Sequence, residues 1–540
     1  MKQKLPLGIQ DFPKIREMGY VYVDKTVRIH ELISSSGGAF FLSRPRRFGK
    51  SVLCSTLRAV FEGRRELFGE LTGRPALAIN SLEWEWKKHP VLRLDLNAGV
   101  YSNGVHALHS VLDSELSREA DRHGITLEPA DVISQFKYLI RTAYEKTGEK
   151  TVVIIDEYDK PLLETMTEKD LHAAIRNELK GFYGVLKSSD EYLRFVFLTG
   201  VTKFSHVSIF SDLNQLSDLT LNPQYADICG LTDEEVMGNF EPDIAAILEE
   251  TGRERNEYLE NLRRYYNGYR FSKIPLKVYN PFGLLNHFFN RGDFLPYWYE
   301  TGTPTFLINL IRKQKIDIAT LTKMRLEYEA FRKYDIENMD ALPILYQSGY
   351  LTITGYDEDE NSFTLDYPNI EVRSSFAKSL LQQYFQASND ESRSLIYRLP
   401  KSLRNGNIEE AIDALRQYLA AVPYDIIKET ENYYETAVHL IFSMLGLNCR
   451  SEIRIAAGRN PPPSCKATKV PLWIDTLVET KNFVYCFEFK LDKTADEALA
   501  QIDSKEYLLP WKGGGKKLFK VGVNFDSEKR NIGDWKYSEQ

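Results

Sequence analysis

Apolar residues in the first half of the 540-residue chain fall into two alternating patterns. Short continuous runs lie at Ala39 to Leu42, at Val91-Leu92-Arg93-Leu94-Asp95-Leu96, at Thr151-Val152-Val153-Ile154-Ile155 and at Leu193-Arg194-Phe195-Val196-Phe197-Leu198. Runs apolar on both faces predict strands in the middle of a parallel sheet. Between them apolar positions recur at helical spacing. Val52, Leu53, Leu57, Val60 and Phe61 follow the first run, and Val132, Ile133, Phe136, Leu139, Ile140 and Ala143 share one face of a helix expected from Asp131 to Lys146. A further helix is expected from Leu171 to Leu186. The fold class this predicts is α/β.

The pattern then changes. Residues 220–345 have helical spacing and many aromatics, among them Tyr265, Tyr266, Tyr269, Tyr279, Phe282 and Trp298. They read as a helical lid with aromatic core packing; a stacking surface for nucleic-acid bases is the alternative. Asp357 to Asn361 reads as an acidic turn between two short strands, the segment from Ile344 to Tyr367 as a bridge, and residues 372–420 as helices. Near the C-terminus Trp473 to Thr480 and Phe483 to Lys490 are two strand-like runs, separated by Lys481-Asn482 as a two-residue hairpin turn.

Chemistry enters where the first strand ends. Strand, polar loop, Gly49-Lys50-Ser51 and helix follow in the order a phosphate-binding loop requires. The helix start presents unpaired N–H groups to an anion. Lys50 would reach the outer phosphates and Ser51 ligate magnesium. The usual spacing begins with a glycine, and that position is Arg44 here. The candidate ATP-binding residues are Arg46, Arg47, Phe48, Gly49, Lys50, Ser51 and Val52, with Asp156 and Thr199 facing them. Ligands bind at the carboxyl ends of parallel strands. Asp156 would therefore hold magnesium with Ser51, and Glu157 would act as general base toward water. Thr199 and Thr202, ending the fourth run, are candidate γ-phosphate sensors on a strand inserted between the two phosphate-site strands. Lys203 reads as a solvated lysine. The segment Tyr20 to Thr26 stands where nucleotide-binding domains often contact the base.

Composition narrows the class. Sixty-nine basic and 76 acidic residues give a net charge of −7, which argues against a general nucleic-acid coat protein but allows a local basic groove. The length suggests roughly two to four domains. The five cysteines are scattered without a C-x-x-C pair, which fits a reducing compartment. The N-terminus lacks the apolar segment of a signal peptide, and the longest apolar stretch, Ala437 to Leu447, is too short to span a bilayer. A cytoplasmic protein without membrane contact is expected.

The C-terminal hairpin carries a second constellation. Counted outward from the turn, Thr480 faces Phe483, Glu479 faces Val484 and Asp475 faces Glu488. Opposed residues share a face with Cβ atoms about 4.5–5.5 Å apart. Lys490 lies on the same face. Two adjacent carboxylates call for a divalent cation, magnesium or manganese, which activates water on a phosphodiester while Lys490 positions the nucleophile. The alternative is an exposed ladder of salt bridges. Phe487 and Phe489 bury the other face, and a helix from Ala495 to Tyr507 carries Gln501.

Ile9-Gln10-Asp11-Phe12, Tyr22 to Thr26, Ser43 to Ser51, Ile155 to Asp159 and Leu198 to Val201 together resemble the bacterial AAA-ATPase-like family, whose loop also has arginine in the first glycine position. The likeness runs on through Tyr266 to Phe271 and Val278 to Phe282. It implies ATP binding. Asp475, Glu488 to Asp492, Ala498 to Ile502, Val523 to Asp526 and Arg530 to Ile532 resemble the PD-(D/E)XK nuclease superfamily domain often fused to it. Glu435 matches the acidic residue on the first helix of that fold, a third metal ligand by resemblance. One departure stands out: Asn460 to Trp473 separate Gly458-Arg459 from Ile474-Asp475. Lys490, Lys493, Lys516, Lys517 and Lys520 would form a basic rim.

The expected architecture is a P-loop NTPase core with parallel sheet (1–220), a helical lid (221–345), a linker (346–395) and a restriction-endonuclease-like α/β domain (396–540). The expected function is an ATPase using ATP and Mg2+, coupled to a metal-dependent nuclease acting on DNA or RNA. Alternatives are a nucleotide-dependent switch or scaffold that binds without cleaving, and a partner-binding signalling ATPase, as a homo-oligomer or with a protein partner.

Overall fold

The computed structural model describes residues 4–540 apart from 72, 129, 204–215, 300–304, 315, 317–323, 332–340, 386–397, 421–433, 435–437, 443–447 and 456–471. The chain forms two compact units. One comprises Met1–Thr301 and Arg325–Asn369, the other Gly302–Met324 and Ile370–Gln540. Both are discontinuous, unlike the linear partition expected from the sequence.

Five parallel strands make the sheet of the first unit. In chain order they are β1 (Ala39–Ser43), β2 (Val91–Asp95), β3 (Thr151–Asp156), β4 (Leu193–Gly200) and β5 (Leu216–Asp218), and across the sheet they run β2-β3-β4-β1-β5. Every residue of β1 and β3 is buried, as a strand covered on both faces must be. β4 lies between β1 and β3, with Ser43 beside Gly200 and Ile155 beside Leu198. The inserted strand inferred from the sequence is therefore present, and the strand ends that carry the motifs converge on one edge.

The helices expected in this unit span Lys50–Phe61, Val132–Thr147 and Lys169–Ser188. Asp131 caps the second by accepting the N–H groups of Ile133 and Ser134, and Gly148 ends it in the left-handed region. Further helices span Asp233–Thr251, Arg255–Tyr266 and Pro281–Phe289. Thr232 and Glu235 form a capping box at the first of these, and Lys25 holds Glu235 at 2.6 Å. Val236, Phe240, Ile244, Tyr258, Leu262 and Phe288 share a core with Val21, packed by Leu5 and Val23. The aromatics of this region thus mostly fill a core, as Tyr265, Tyr266 and Phe294 do among themselves. Of residues 346–395, expected as a linker, those from Ile370 onward belong to the second unit, and those up to Asn369 supply two strands of a three-stranded sheet of the first unit. These are β7 (Thr352–Asp357) and β8 (Ser362–Asp366), with β6 (Arg325–Glu327) completing the order β6-β8-β7. The acidic turn expected between β7 and β8 is there.

The second unit is built on β9 (Asn448–Ile455), β10 (Leu472–Glu479), β11 (Phe483–Leu491), β12 (Lys517–Asp526) and β13 (Asn531–Glu539), in the order β13-β12-β11-β10-β9. β11 and β12 are parallel and the other pairs antiparallel. The helix Ala495–Ser504 connects the parallel pair and shares a core with Ile474, Leu477, Val484, Cys486 and Leu518. Aromatic rings cover the opposite face, where Phe487 and Phe489 stack, Phe489 meets Phe525, and Tyr434 lies 4.4 Å from Phe525. Among the described residues no helix is long and apolar enough to cross a membrane.

His287 gives the helical region a pH signature. It is fully buried, 2.8 Å from the Tyr258 hydroxyl and 3.0 Å from the Asp293 carbonyl. A carbonyl only accepts, so Nδ1 carries the proton and Nε2 accepts from Tyr258. Burial, opposed by the Asp293 carbonyl and aided by Arg253, lowers its pKa from 6.5 to about 4. The unfolded chain therefore takes up the proton first as pH falls. Stability should drop between pH 6.5 and about 4 by on the order of 3 kcal/mol from this group. Urea midpoints measured across that range should slope less steeply in His287→Gln than in the parent.

Candidate functional sites

The loop after β1 is shaped by residues that do not face a ligand. Arg44 is fully buried, donating to the carbonyls of Ser43 (2.8 Å), Thr220 (2.9 Å) and Tyr225 (3.0 Å) beneath the Phe271 ring at 4.2 Å. At the first glycine position the arginine is thus a peg that anchors the loop to the 220–225 segment. Arg47 and Gly49 have left-handed backbones with φ of 64° and 91°, which turn the chain into the helix Lys50–Phe61. No side chain caps that helix at Gly49, so its first N–H groups face the cleft. The Phe48 side chain is buried against Tyr269 and Phe271, and its ring serves packing. Arg46 and Arg47 are exposed, with Arg47 lying 4.7 Å over the Phe282 ring. The Trp298 indole donates to the Arg46 carbonyl at 2.9 Å. Lys50 folds back over the loop, 3.1 and 3.2 Å from the carbonyls of Arg44 and Pro45 and 3.4 Å from Glu157 Oε1.

Asp156, at the end of β3, is fully buried. Its Oδ2 lies 3.4 Å from Arg93 Nη2, and Oδ1 accepts no hydrogen bond. Burial, then the Glu157 charge, push its pKa up to about 6, against the opposing pull of Arg93 and the Ser51 hydroxyl. A buried carboxylate oxygen without a donor, next to a serine hydroxyl, suits a divalent cation. Glu157 follows with a left-handed backbone, φ 54°.

The two sensor candidates on β4 are engaged elsewhere. The Thr199 hydroxyl donates to the Leu42 carbonyl at 2.8 Å, tying β4 to β1, and Thr202 donates to Asp159 at 2.7 Å. Neither lines the cleft. Lys203, expected to be solvated, is buried and paired with Asp218. Asp159, which the sequence offered only as part of a motif, holds the β4 end. It accepts the N–H groups of Val201 and Thr202 at 3.1 and 2.6 Å, and a Cβ on Gly200 would collide with its Oδ1.

Arg46 to Leu53, Glu157 and Lys160 line a cavity of about 400 Å³. Its apolar wall includes Ile9, Val23, Ile228, Leu231 and Phe282, so the N-terminal segment does border the cleft. Asp95 and Asn97, unremarked in the sequence, line it too. The available signal was that β2 ends in an aspartate, as β3 does.

In the second unit the hairpin register is the one counted from the turn. Thr480 meets Phe483, Glu479 pairs with Val484 and Thr476 with Phe487. Beyond that pair Asp475 Oδ2 accepts the Phe489 N–H at 2.8 Å, the carboxylate standing in for a backbone carbonyl. Asp475 and Glu488 fall on the same face. Glu488 is fully buried, its Oε2 without a donor, and Lys490 Nζ lies 3.0 Å from Oε1 and 2.7 Å from the Phe489 carbonyl. Burial, then the Asp475 charge, push the Glu488 pKa up to about 8 despite Lys490. Gln501 reaches the Tyr507 hydroxyl at 3.4 Å. Glu435, the third expected metal ligand, lies outside the described residues, as do 460–471 of the insertion. β10 nevertheless keeps its register with β9 from Leu472 onward. The basic rim is largely neutralised. Lys516 pairs with Glu479 at 2.6 Å, Lys517 with Glu539 at 2.8 Å, and Lys520 with Asp503. Among the described residues no three-ligand cage of His, Cys, Asp or Glu forms. Magnesium tolerates this, since it keeps waters and binds through one or two carboxylates.

A parallel sheet with an uncapped phosphate loop and a mixed sheet with a D…E-x-K edge define the class. The chain belongs to the AAA-ATPase-like family that carries a C-terminal PD-(D/E)XK nuclease superfamily domain. The family model "Predicted AAA-ATPase" matches residues 6–210, and that of the PD-(D/E)XK nuclease superfamily matches 429–535. The chain is 34% identical over 544 residues to the "Uncharacterized protein in vnfD 5'region" of Azotobacter chroococcum mcd 1, covering 98% of each chain.

The raised Glu488 pKa makes a stability prediction. Between its ordinary value of 4.5 and about 8 the folded state holds a proton that the unfolded state has lost, so stability falls as pH rises through that window. Without metal, Glu488→Gln should melt higher than the parent at about pH 8. Millimolar Mn2+ should raise the parent melting temperature and leave the variant's unchanged, as differential scanning fluorimetry would record.

Proposed function

We propose that the first unit binds and hydrolyses ATP and that the second is a metal-dependent nuclease on DNA or RNA, gated by the nucleotide state of the first. One observation carries the ATP reading: the uncapped start of the helix at Lys50 lines a cleft with Glu157 and Asp95, and the unpartnered Oδ1 of Asp156 lies buried beside Ser51 at that helix start. Ser51 and Asp156 would hold Mg2+, which when bound supplies charge neutralisation on the phosphates. Phosphates at the helix start draw Lys50 away from Glu157, and the freed carboxylate then serves as general base toward water. Thr199 has no direct part in this reading, because its hydroxyl is spent on Leu42.

In the second unit Asp475 and Glu488, with Glu435 as the further ligand suggested by family likeness, would hold a second divalent ion. The chemistry supplied there is water activation at a phosphodiester. Lys490, 3.0 Å from Glu488 Oε1, would position the nucleophile beside the ion. The paired rim lysines favour a second reading, a nucleotide-dependent switch or scaffold whose nuclease fold binds nucleic acid or a protein partner, or assembles with its own copies, without cleaving. A cytoplasmic setting fits either.

Lys50→Ala should lose high-affinity ATP binding while staying folded, and calorimetric titration showing parent affinity would refute the site. Glu157→Gln should keep ATP binding and lose hydrolysis by about a hundredfold or more, read as phosphate release.

Glu488→Ala should lose Mg2+- or Mn2+-dependent cleavage of labelled DNA and RNA and keep ATP hydrolysis. A parent that retains labelled nucleic acid yet never cleaves it, with either metal and with or without ATP, would select the switch reading.

A further inference from the structure

Arg93 on β2 has no part in the reactions above. β2 and β3 run parallel with Arg93 beside Ile154 and Asp95 beside Asp156, so Arg93, Asp95 and Asp156 share one face of the sheet. The Arg93 side chain is 16% exposed and its Nη2 lies 3.4 Å from Asp156 Oδ2. Among the described residues Asp156 is the carboxylate within ion-pair distance of it, and its buried Nε has no acceptor. The guanidinium is therefore committed to this one carboxylate. Asp156 is divided in consequence, with Oδ2 on Arg93 and Oδ1 left bare beside Ser51.

We propose that Arg93 is a built-in counter-cation that keeps Asp156 from taking a divalent ion until a nucleotide arrives. The proposal rests on the reading of Asp156 as a metal ligand. A divalent ion at Oδ1 would meet a guanidinium a few ångströms away, across a poorly hydrated interior where repulsion is strong. Lys50 adds a second positive charge at the same cleft, balanced by Glu157 at 3.4 Å. Asp95 faces the same side and its charge also acts on Arg93, while its Oδ1 accepts the Asn97 N–H at 2.9 Å. Arg93 and Lys50 thus offset the carboxylates of this strand edge, and nucleotide phosphates supply the further negative charge a divalent ion needs, so metal and nucleotide load together. Arginine suits this task because it stays charged at any pH a folded protein meets.

The experiment is a titration of the full chain with Mn2+ alone, followed by electron paramagnetic resonance at about pH 8, where Asp156 is ionised. The parent should bind Mn2+ at this site weakly without ATP and readily with it. Arg93→Gln should bind nucleotide-free Mn2+ at least about tenfold tighter, and Arg93→Lys should resemble the parent. Circular dichroism checks that the variants are folded, and Arg93→Met serves as the second variant if Gln does not fold. If Arg93→Gln and Arg93→Met bind free Mn2+ no better than the parent while ATP-dependent loading persists, the gating role is overturned and the metal reading stands. If the gain survives in Arg93→Gln/Asp156→Asn, the ion sits elsewhere, and both the gate and the role of Asp156 fall.

Discussion

A carboxylate oxygen without a hydrogen-bond donor is costly inside a protein, and this chain places one at the heart of each unit. Asp156 Oδ1 and Glu488 Oε2 are both buried and bare; Asp156 ends β3 and Glu488 lies three residues before the end of β11, both strands inside their sheets. The surrounding structure serves to hold them there. β4 wedges between β1 and β3 and sets Asp156 opposite the phosphate loop. The parallel crossing from β11 to β12 buries Glu488 under Ala495–Ser504. In both units a cation already stands at the other oxygen, Arg93 in one and Lys490 in the other. The two sites share a physical logic on unrelated sheets: an acid kept in an apolar setting with half of its valence spoken for.

Much of this was legible in the chain. Continuous apolar runs located β1 to β4, because only a doubly covered strand tolerates apolar residues on both faces. The two-residue turn at Lys481-Asn482 was enough to fix the register that brings Asp475 to the face of Glu488, since a slip of one residue would have reversed it. What escaped were partnerships between residues far apart in sequence. Thr199 ends its strand where a sensor should stand, yet which way a hydroxyl points depends on the neighbouring strand, and Leu42 claims it. Lys203 read as solvated because nothing local reveals Asp218, 15 residues further along the chain. Arg44 looked like a missing glycine; its carbonyl partners at Thr220 and Tyr225 lie about 180 residues away. Asp95 carried a weak signal, the same strand-end aspartate as in β3, without a glycine-lysine motif beside it.

The lysines of the second unit show how net charge can mislead at short range. Lys516, Lys517 and Lys520 would count as a basic surface in any tally of residues, but carboxylates from Glu479, Glu539 and Asp503 already occupy them. Pairs this exposed are weak and screened by salt, so a polyanion can displace them at little cost. Any affinity for nucleic acid would be purchased by exchanging partners and would fade steeply as ionic strength rises.

The interleaving of the two units has a consequence for how the chain is made. Gly302–Met324 leaves the ribosome between two pieces of the first unit, yet its own partners begin at Ile370 and run to the last residue. At ordinary elongation rates the last 171 residues take roughly 10–35 s to appear. During that interval the first unit can close around Arg325–Asn369 while the intervening stretch waits, bearing apolar positions such as Ile308 and Ile311 that are buried in the finished fold. Any single cut of the chain leaves a piece of one unit joined to the other, so no one truncation separates the ATPase-like unit from the nuclease-like unit with both whole.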